Sequence, residues 1–224
     1  MPTHEELRKA QMELHRLTYE HWIQYDLFSL NWWLLLAVMI IPWIIWWKLV
    51  NKDHLIEITL FGLFTALASA ILNTIGFSIG LWSYPAKLIP INPPLFPADF
   101  TLLPVTYMLI YQYFKYWDRF FIACITVFAI FAFVGEPFLE STNIYTKYHW
   151  EYIYSFPIYV AMPMFFRWLV KKMKLAISEE DNKSLRKKLN EALQDQEKLL
   201  EKIHKIQSQQ EEKRPWWKRI FKLS

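Results

Sequence analysis

Apolar positions gather in one long block, about 28–170, set between two polar ends, and polar or proline-rich breaks divide the block into five runs. A hydrocarbon core of ~30 Å needs about 20 helical residues. The runs therefore predict membrane-spanning helices at about 28–50, 55–81, 99–114, 117–138 and 152–170. In the first, Trp32 and Trp33 mark one interface and Trp43, Trp46 and Trp47 the other, as aromatic belts do, and Pro42 predicts a slight kink. The second carries Ala66, Ser69, Asn73, Gly76 and Gly80 at alternating spacings of three and four. Small residues on one stripe let helix backbones approach closely, so this face, with its G-x-x-x-G from Gly76 to Gly80, is expected against protein. The amide of Asn73 is expected to hydrogen-bond between helices there. The third run is short and interrupted by Pro104, which leaves it tilted, kinked or partly re-entrant. The fifth contains Pro157 and Pro163 and ends in Arg167, Lys171, Lys172 and Lys174.

The polar ends differ. In segment 1–27, Leu7, Ala10, Leu14 and Leu17 fall at helical spacing, which predicts a short amphipathic helix over 4–26, lying on a membrane surface or forming a frayed lead-in. The segment has no apolar region of the secretory type, so the first span is expected to act as its own insertion signal. In segment 171–224, residues 178–212 contain neither Gly nor Pro and read as one polar helix. Leu185, Leu189, Ala192, Leu199, Ile203 and Ile206 form a stripe of about four heptads. A homodimer, a cytoplasmic partner and a solvated single helix all fit that stripe. Beyond Pro215, the residues Trp216, Trp217, Lys218, Arg219 and Phe221 have the composition of an interfacial membrane anchor.

Composition agrees with a membrane location: 54% of residues are hydrophobic and 18% aromatic. The predicted class is an all-α integral membrane protein with about five transmembrane helices and a long cytoplasmic C-terminal helix. Lys48, Lys52, Lys115, Arg119, Arg167, Lys171, Lys172 and Lys174 fall on one side of the five spans. Lys87 and Lys147 fall on the other, with Arg8, Lys9 and Arg16 of the N-terminal segment. By the positive-inside rule the N-terminus is outside and the C-terminus cytoplasmic; a re-entrant third run would put the N-terminus inside. A basic tail on an apolar body points to the lipid bilayer as partner rather than to nucleic acid.

Several chemistries are excluded. Cys124 is the single cysteine, so no intramolecular disulfide and no paired-cysteine metal site can form. The four glycines, 62, 76, 80 and 135, build neither a P-loop nor a dinucleotide fingerprint. The six histidines are scattered outside the spans, so no metal and no cofactor is expected. Polar and aromatic groups do converge at the outer end of the spans: Asn73, Trp82, Tyr84, Asp99, Glu136 and Trp150. Tyr107 and Tyr111 share a face of the third run by their spacing of four. These eight are the candidate site, with Asp99 and Glu136 its candidate catalytic groups, because ionisable residues within a membrane mark function. Asp99 has a competing task, preferred on sequence alone: before Thr101 and Pro104 it suits an N-cap or first-turn acid. Glu136, followed by Pro137, reads equally as a water-facing helix end or a functional group.

The run N-T-I-G-F-S-I-G-L-W-S-Y-P from Asn73 and P-A-D-F-T-L-L-P-V-T-Y-M-L-I-Y-Q-Y-F from Pro97 resemble a group of small uncharacterised multi-pass membrane proteins of Bacillus- and Clostridium-type bacteria. P-W-I-I-W-W-K-L-V from Pro42 and E-P-F-L-E from Glu136 extend that likeness, which implies a fold and a location but no activity. A weaker resemblance, carried by Asn73, Gly76, Gly80 and Trp82, is to lycopene-cyclase-type membrane enzymes. There an acidic pair follows the proline of a Pro-x-Glu-Glu motif; here Pro97-Ala98-Asp99 supplies one acid, followed by Phe100. Three functions follow as expectations. The first is a non-enzymatic membrane protein that binds a small ligand or lipid, or acts as a scaffold, and associates through its C-terminal helix. The second is a membrane enzyme acting on an apolar lipid or isoprenoid. The third is a small transporter.

Overall fold

The computed structural model describes residues 2–91 and 95–212. The chain divides into two units, Met1–Lys171 and Lys172–Ser224. Its helices are α1 His4–His21, α2 Leu30–Leu49, α3 Leu55–Ser78, α4 Leu103–Tyr113, α5 Trp117–Ile130, α6 Glu136–Ser141 and α7 Tyr152–Glu212. Strands β1 Trp82–Ser83 and β2 Thr146–Lys147 pair antiparallel, Trp82 opposite Lys147 and Ser83 opposite Thr146. Among the described residues two π-helical turns border the later helices, the first, Ala98–Leu102, running into α4 and the second, Phe131–Gly135, joining α5 to α6 end to end, while a further one, Trp22–Asp26, ends α1.

Local chemistry explains the helix starts. Thr3 accepts from the Glu6 backbone while the Glu6 side chain returns to the Thr3 backbone, so two otherwise orphaned donors are satisfied. Ser29 accepts from the Trp32 backbone at 3.2 Å and opens α2. Two of the π turns have a proline behind them. A helical proline lacks an N–H and crowds the carbonyl four residues back. For Pro104 that carbonyl belongs to Phe100, and for Pro137 to Phe133; both lie inside π turns, where the widened ring accommodates the conflict.

Among the described residues four helical stretches are long and apolar enough to cross a membrane: Leu30–Leu49, Lys52–Ser78, Trp117–Ser141 and Tyr152–Ile206. The expected third span is not among them. Helical structure there covers 96–113 and includes a π turn, a little short of the ~20 residues a full crossing takes. It nonetheless reaches both ends of the bundle. Asp99 meets Asn73 near the end of α3, and Gln112 donates to the Leu49 carbonyl at 2.9 Å and accepts from the Asn51 backbone at 2.7 Å.

The core of the first unit lies between α3, α4, α5 and α7, where Phe61, Tyr107, Phe120, Cys124 and Phe128 are fully buried. At the opposite end of the bundle from Gln112, Leu35, Ala86, Leu95 and Ile144 form a second, smaller cluster under the connecting segments. The stripe predicted on α3 is buried from Ala66 through Ser69 and Asn73 to Gly76, while Leu63, Leu67, Ile71 and Ile75 on its other face are exposed. Gly80 departs from the prediction. It lies beyond α3 at φ +76° with nothing near the position a Cβ would take; it serves the turn, and the G-x-x-x-G makes no helix–helix seam.

In the second unit the helix continues to Glu212, and Leu185, Leu189, Leu199, Ile203 and Ile206 are all at least half exposed. The anchor residues Trp216, Trp217, Lys218, Arg219 and Phe221 lie outside the described residues.

Candidate functional site

Asp99 sits in the first π turn, and it does not cap. The chain is already helical at Pro97, which holds the N-cap position without a side-chain cap bond. The backbone N–H groups of Ala98 and Asp99 turn back to the Leu95 carbonyl at 2.9 and 3.2 Å, so the carboxylate has no orphan donors to serve. Only 4% exposed, it instead accepts at Oδ2 from Nδ2 of Asn73 at 2.5 Å. The N-cap half of the expectation is corrected on that geometry, while the first-turn half holds, Asp99 being the acid of the first turn.

Asn73 is the hub of the arrangement. Its Oδ1 accepts from Trp82 Nε1 at 2.9 Å and from the Tyr84 hydroxyl at 2.8 Å. Trp82 is placed by the strand pairing with β2, by an edge contact with Trp150 at 5.1 Å between ring centroids, and by Gly76. A Cβ on Gly76 would stand 2.1 Å from the Trp82 ring, so the indole lies directly on the helix backbone. Burial pushes the Tyr84 phenol well above its ordinary value, which keeps it a hydrogen-bond donor to Asn73. The Tyr145 phenol, stacked obliquely on Tyr84 at 5.8 Å, is raised for the same reason.

Glu136 opens α6 directly after the second π turn. Its Oε1 accepts from the Tyr159 hydroxyl at 2.8 Å, and its Oε2 is buried without a partner among the described residues. Trp150 donates to Ser155 Oγ at 2.9 Å. These groups share one cavity of about 500 Å³, lined by Asn73, Trp82, Tyr84, Asp99, Glu136 and Trp150 together with Tyr145, Ser155 and Tyr159, and otherwise by apolar side chains of α2, α3, α5, α6 and α7. The apolar lining residues Leu72, Ile130, Val134 and Phe138 are 43%, 56%, 61% and 51% exposed, so they form the rim.

Six of the eight predicted site residues therefore meet in one cavity. Tyr107 and Tyr111 do not. Tyr107 is fully buried in the core and donates to the Tyr159 carbonyl at 3.0 Å. Tyr111 lies one turn further from the cavity and donates to Glu57 at 2.6 Å. Their shared helix face points into the core below the cavity, so they stand apart from the other six. Ser155 and Tyr159 belong to the cavity and were not anticipated; their spacing of four on the fifth apolar run was the available signal. Among the described residues no group of three or more His, Cys, Asp or Glu is arranged to hold a metal ion.

No family model, no curated protein and no solved structure matches this chain.

Proposed function

We propose that this chain is an integral membrane protein whose cavity binds one small apolar or lipid-like molecule, with the polar end of the molecule set among Asn73, Asp99 and Glu136. The observation that carries it is the cavity itself. It holds about 500 Å³, is mostly apolar, and has a few convergent polar groups in its wall, the usual build of a small-molecule site. The exposed apolar rim of Ile130, Val134 and Phe138 suits a molecule already dissolved in a bilayer. With four membrane crossings and the shorter 96–113 stretch as a fifth, the N-terminus is outside and the C-terminus cytoplasmic, a reading supported by the basic residues at the Gln112 end. The cavity then lies toward the outer face.

The test is recovery of the occupant. Protein purified in mild detergent is extracted with organic solvent, and the extract is compared by mass spectrometry with that of Gly135→Leu. Gly135 lines the cavity, and a Cβ there meets nothing closer than 3.9 Å, so the leucine occupies the site without a clash at its base. One molecule retained by wild type and lost from the variant is expected; identical extracts refute the proposal.

A second function, a membrane enzyme acting on that molecule, is favoured by one observation: two carboxyl groups, Asp99 and Glu136, share an apolar, aromatic-walled cavity, an environment suited to proton transfer. It also accords with the resemblance to lycopene-cyclase-type enzymes. Conversion of the extracted molecule by wild type and not by Glu136→Gln or Asp99→Asn is its measure. For the second unit, the exposed stripe from Leu185 to Ile206 supports association as a parallel homodimer. Leu199→Cys in the full chain is then expected to cross-link to itself under oxidation, Cys124 being buried. A monomer on oxidation rules that dimer out.

A further inference from the structure

The hydrogen-bonding groups of the cavity are out of balance, and the imbalance selects a ligand chemistry. Four donors of its aromatic walls are already committed: Trp82 and Tyr84 to Asn73, Trp150 to Ser155, and Tyr159 to Glu136. That leaves the Tyr145 hydroxyl as the one phenol of the wall without an assigned acceptor among the described residues. The acceptors are less committed. Asp99, buried to within 4%, receives one bond, at Oδ2, and Glu136 Oε2 receives none among the described residues. Among the described residues no lysine, arginine or histidine lines the cavity. Lys147, on the hairpin nearby, has its Nζ 2.7 Å from Glu151 and 4.2 Å from the centre of the Tyr152 ring. Two carboxyl groups thus face an apolar space with no protein cation in contact among the described residues, Lys147 reaching Glu136 only through space, and an ionised carboxylate there is costly unless paired. The rings of Trp82, Trp150, Tyr84, Tyr145 and Tyr159 complete the wall, and aromatic faces attract cations.

Resting on the cavity-binding function proposed above, the geometry points to a lipophilic amine as the ligand: its ammonium donates to Asp99 and Glu136 among the aromatic rings, and its hydrocarbon lies along the Leu34, Val38, Ile130 and Val134 wall. A hydroxyl end supplies one donor and no charge, so it binds more weakly. A carboxylate or phosphate end finds no cation and adds a further negative charge beside two acids.

The experiment compares three probes of equal chain length, decylamine, decanol and decanoate, titrated into the full-length protein in nanodiscs, with empty nanodiscs as the control for partition into lipid. Saturable one-to-one binding of decylamine is expected, at least fivefold tighter than decanol, with no saturable decanoate binding. Glu136→Gln and Asp99→Asn are each expected to reduce that preference at least threefold. A preference below fivefold, or saturable decanoate binding, overturns the amine assignment and leaves cavity binding standing. A preference unaltered in both variants also overturns it. If none of the probes binds saturably, the cavity function fails with it. Should the variants not fold, the wild-type preference alone decides.

Discussion

The contact between Gly76 and Trp82 yields a change of sign that a simple propensity argument does not. In an exposed helix interior, Gly→Ala stabilises by about 1 kcal/mol. Here the added Cβ stands 2.1 Å from one ring atom of Trp82 and 2.2 Å from the next. The indole must retreat by about 1.5 Å to reach ordinary contact. It is not free to do so, because Nε1 is bonded to Asn73 at 2.9 Å and the ring abuts Trp150. Overpacking costs about 1–3 kcal/mol, and a hydrogen bond between membrane segments is worth ~0.6 kcal/mol, rarely above ~1.7. After the propensity gain, Gly76→Ala should destabilise by roughly 1–3 kcal/mol, a fall in melting temperature of about 2–12 °C at ~2–4 °C per kcal/mol for a chain of this size. In a Trp82→Ala background the obstacle is gone, and the same change should be neutral or stabilising by up to ~1 kcal/mol. Thermal melting of the four proteins in one detergent, followed by near-ultraviolet circular dichroism, closes the double-mutant cycle. A stabilised Gly76→Ala single variant refutes the reasoning, as does a penalty that survives in the Trp82→Ala background.

Three further outcomes are expected. Asn73→Leu strands Trp82 Nε1, the Tyr84 hydroxyl and Asp99 Oδ2 together, so a loss of roughly 2–5 kcal/mol is expected from the same range per bond; a melting temperature equal to wild type contradicts the hub role. Arg167, 2% exposed, donates to the Phe114 and Lys115 carbonyls at 2.8 and 2.5 Å and lies 4.1 Å from the Phe120 ring. Arg167→Lys cannot span both carbonyls and should cost about 1.5–3 kcal/mol, read from denaturation in mixed micelles. Asp26, 6% exposed, has its acidity weakened chiefly by burial. A carboxyl whose pKa is raised on folding costs stability when ionised, and the cost is relieved as pH falls through the folded value towards the ordinary 3.8. Asp26→Asn should therefore gain on wild type at pH 8 and lose that advantage as pH approaches 4; a pH-independent difference between the two melting curves counts against it.

Apolar run length was enough to locate the helices, because it is a sum over twenty residues and tolerates local irregularity. The 3–4 spacing on α3 was enough to locate its buried face as far as Gly76. What escaped is set by single contacts. Whether Gly80 faces a helix or a turn depends on one positive φ, and no stripe of small residues distinguishes the two. Asp99 has the sequence context of a cap, and only the early helical start at Pro97 turns it inward. Tyr107 and Tyr159 look alike along the chain, yet one fills the core and the other reaches Glu136, a difference set by the height at which each crosses its neighbour. The convergence of Asn73, Asp99 and Glu136 was legible because alternating helices bring the end of each even run beside the start of the next.

The two π turns beside the cavity have a consequence for how this site tolerates change in length. Such a turn is an α-helix carrying one residue more than its neighbours require, and removing that residue restores the regular winding. Each residue of an α-helix advances the side-chain direction by about 100°. Deletion of one position within 98–102 would therefore swing everything on one side of the lesion by more than a quarter turn and take Asp99 off Asn73. The same deletion within 131–135 would carry Glu136 away from Tyr159. Both acids are held in place by an odd residue count, so chain length at these two points is as much a part of the site as the carboxylates.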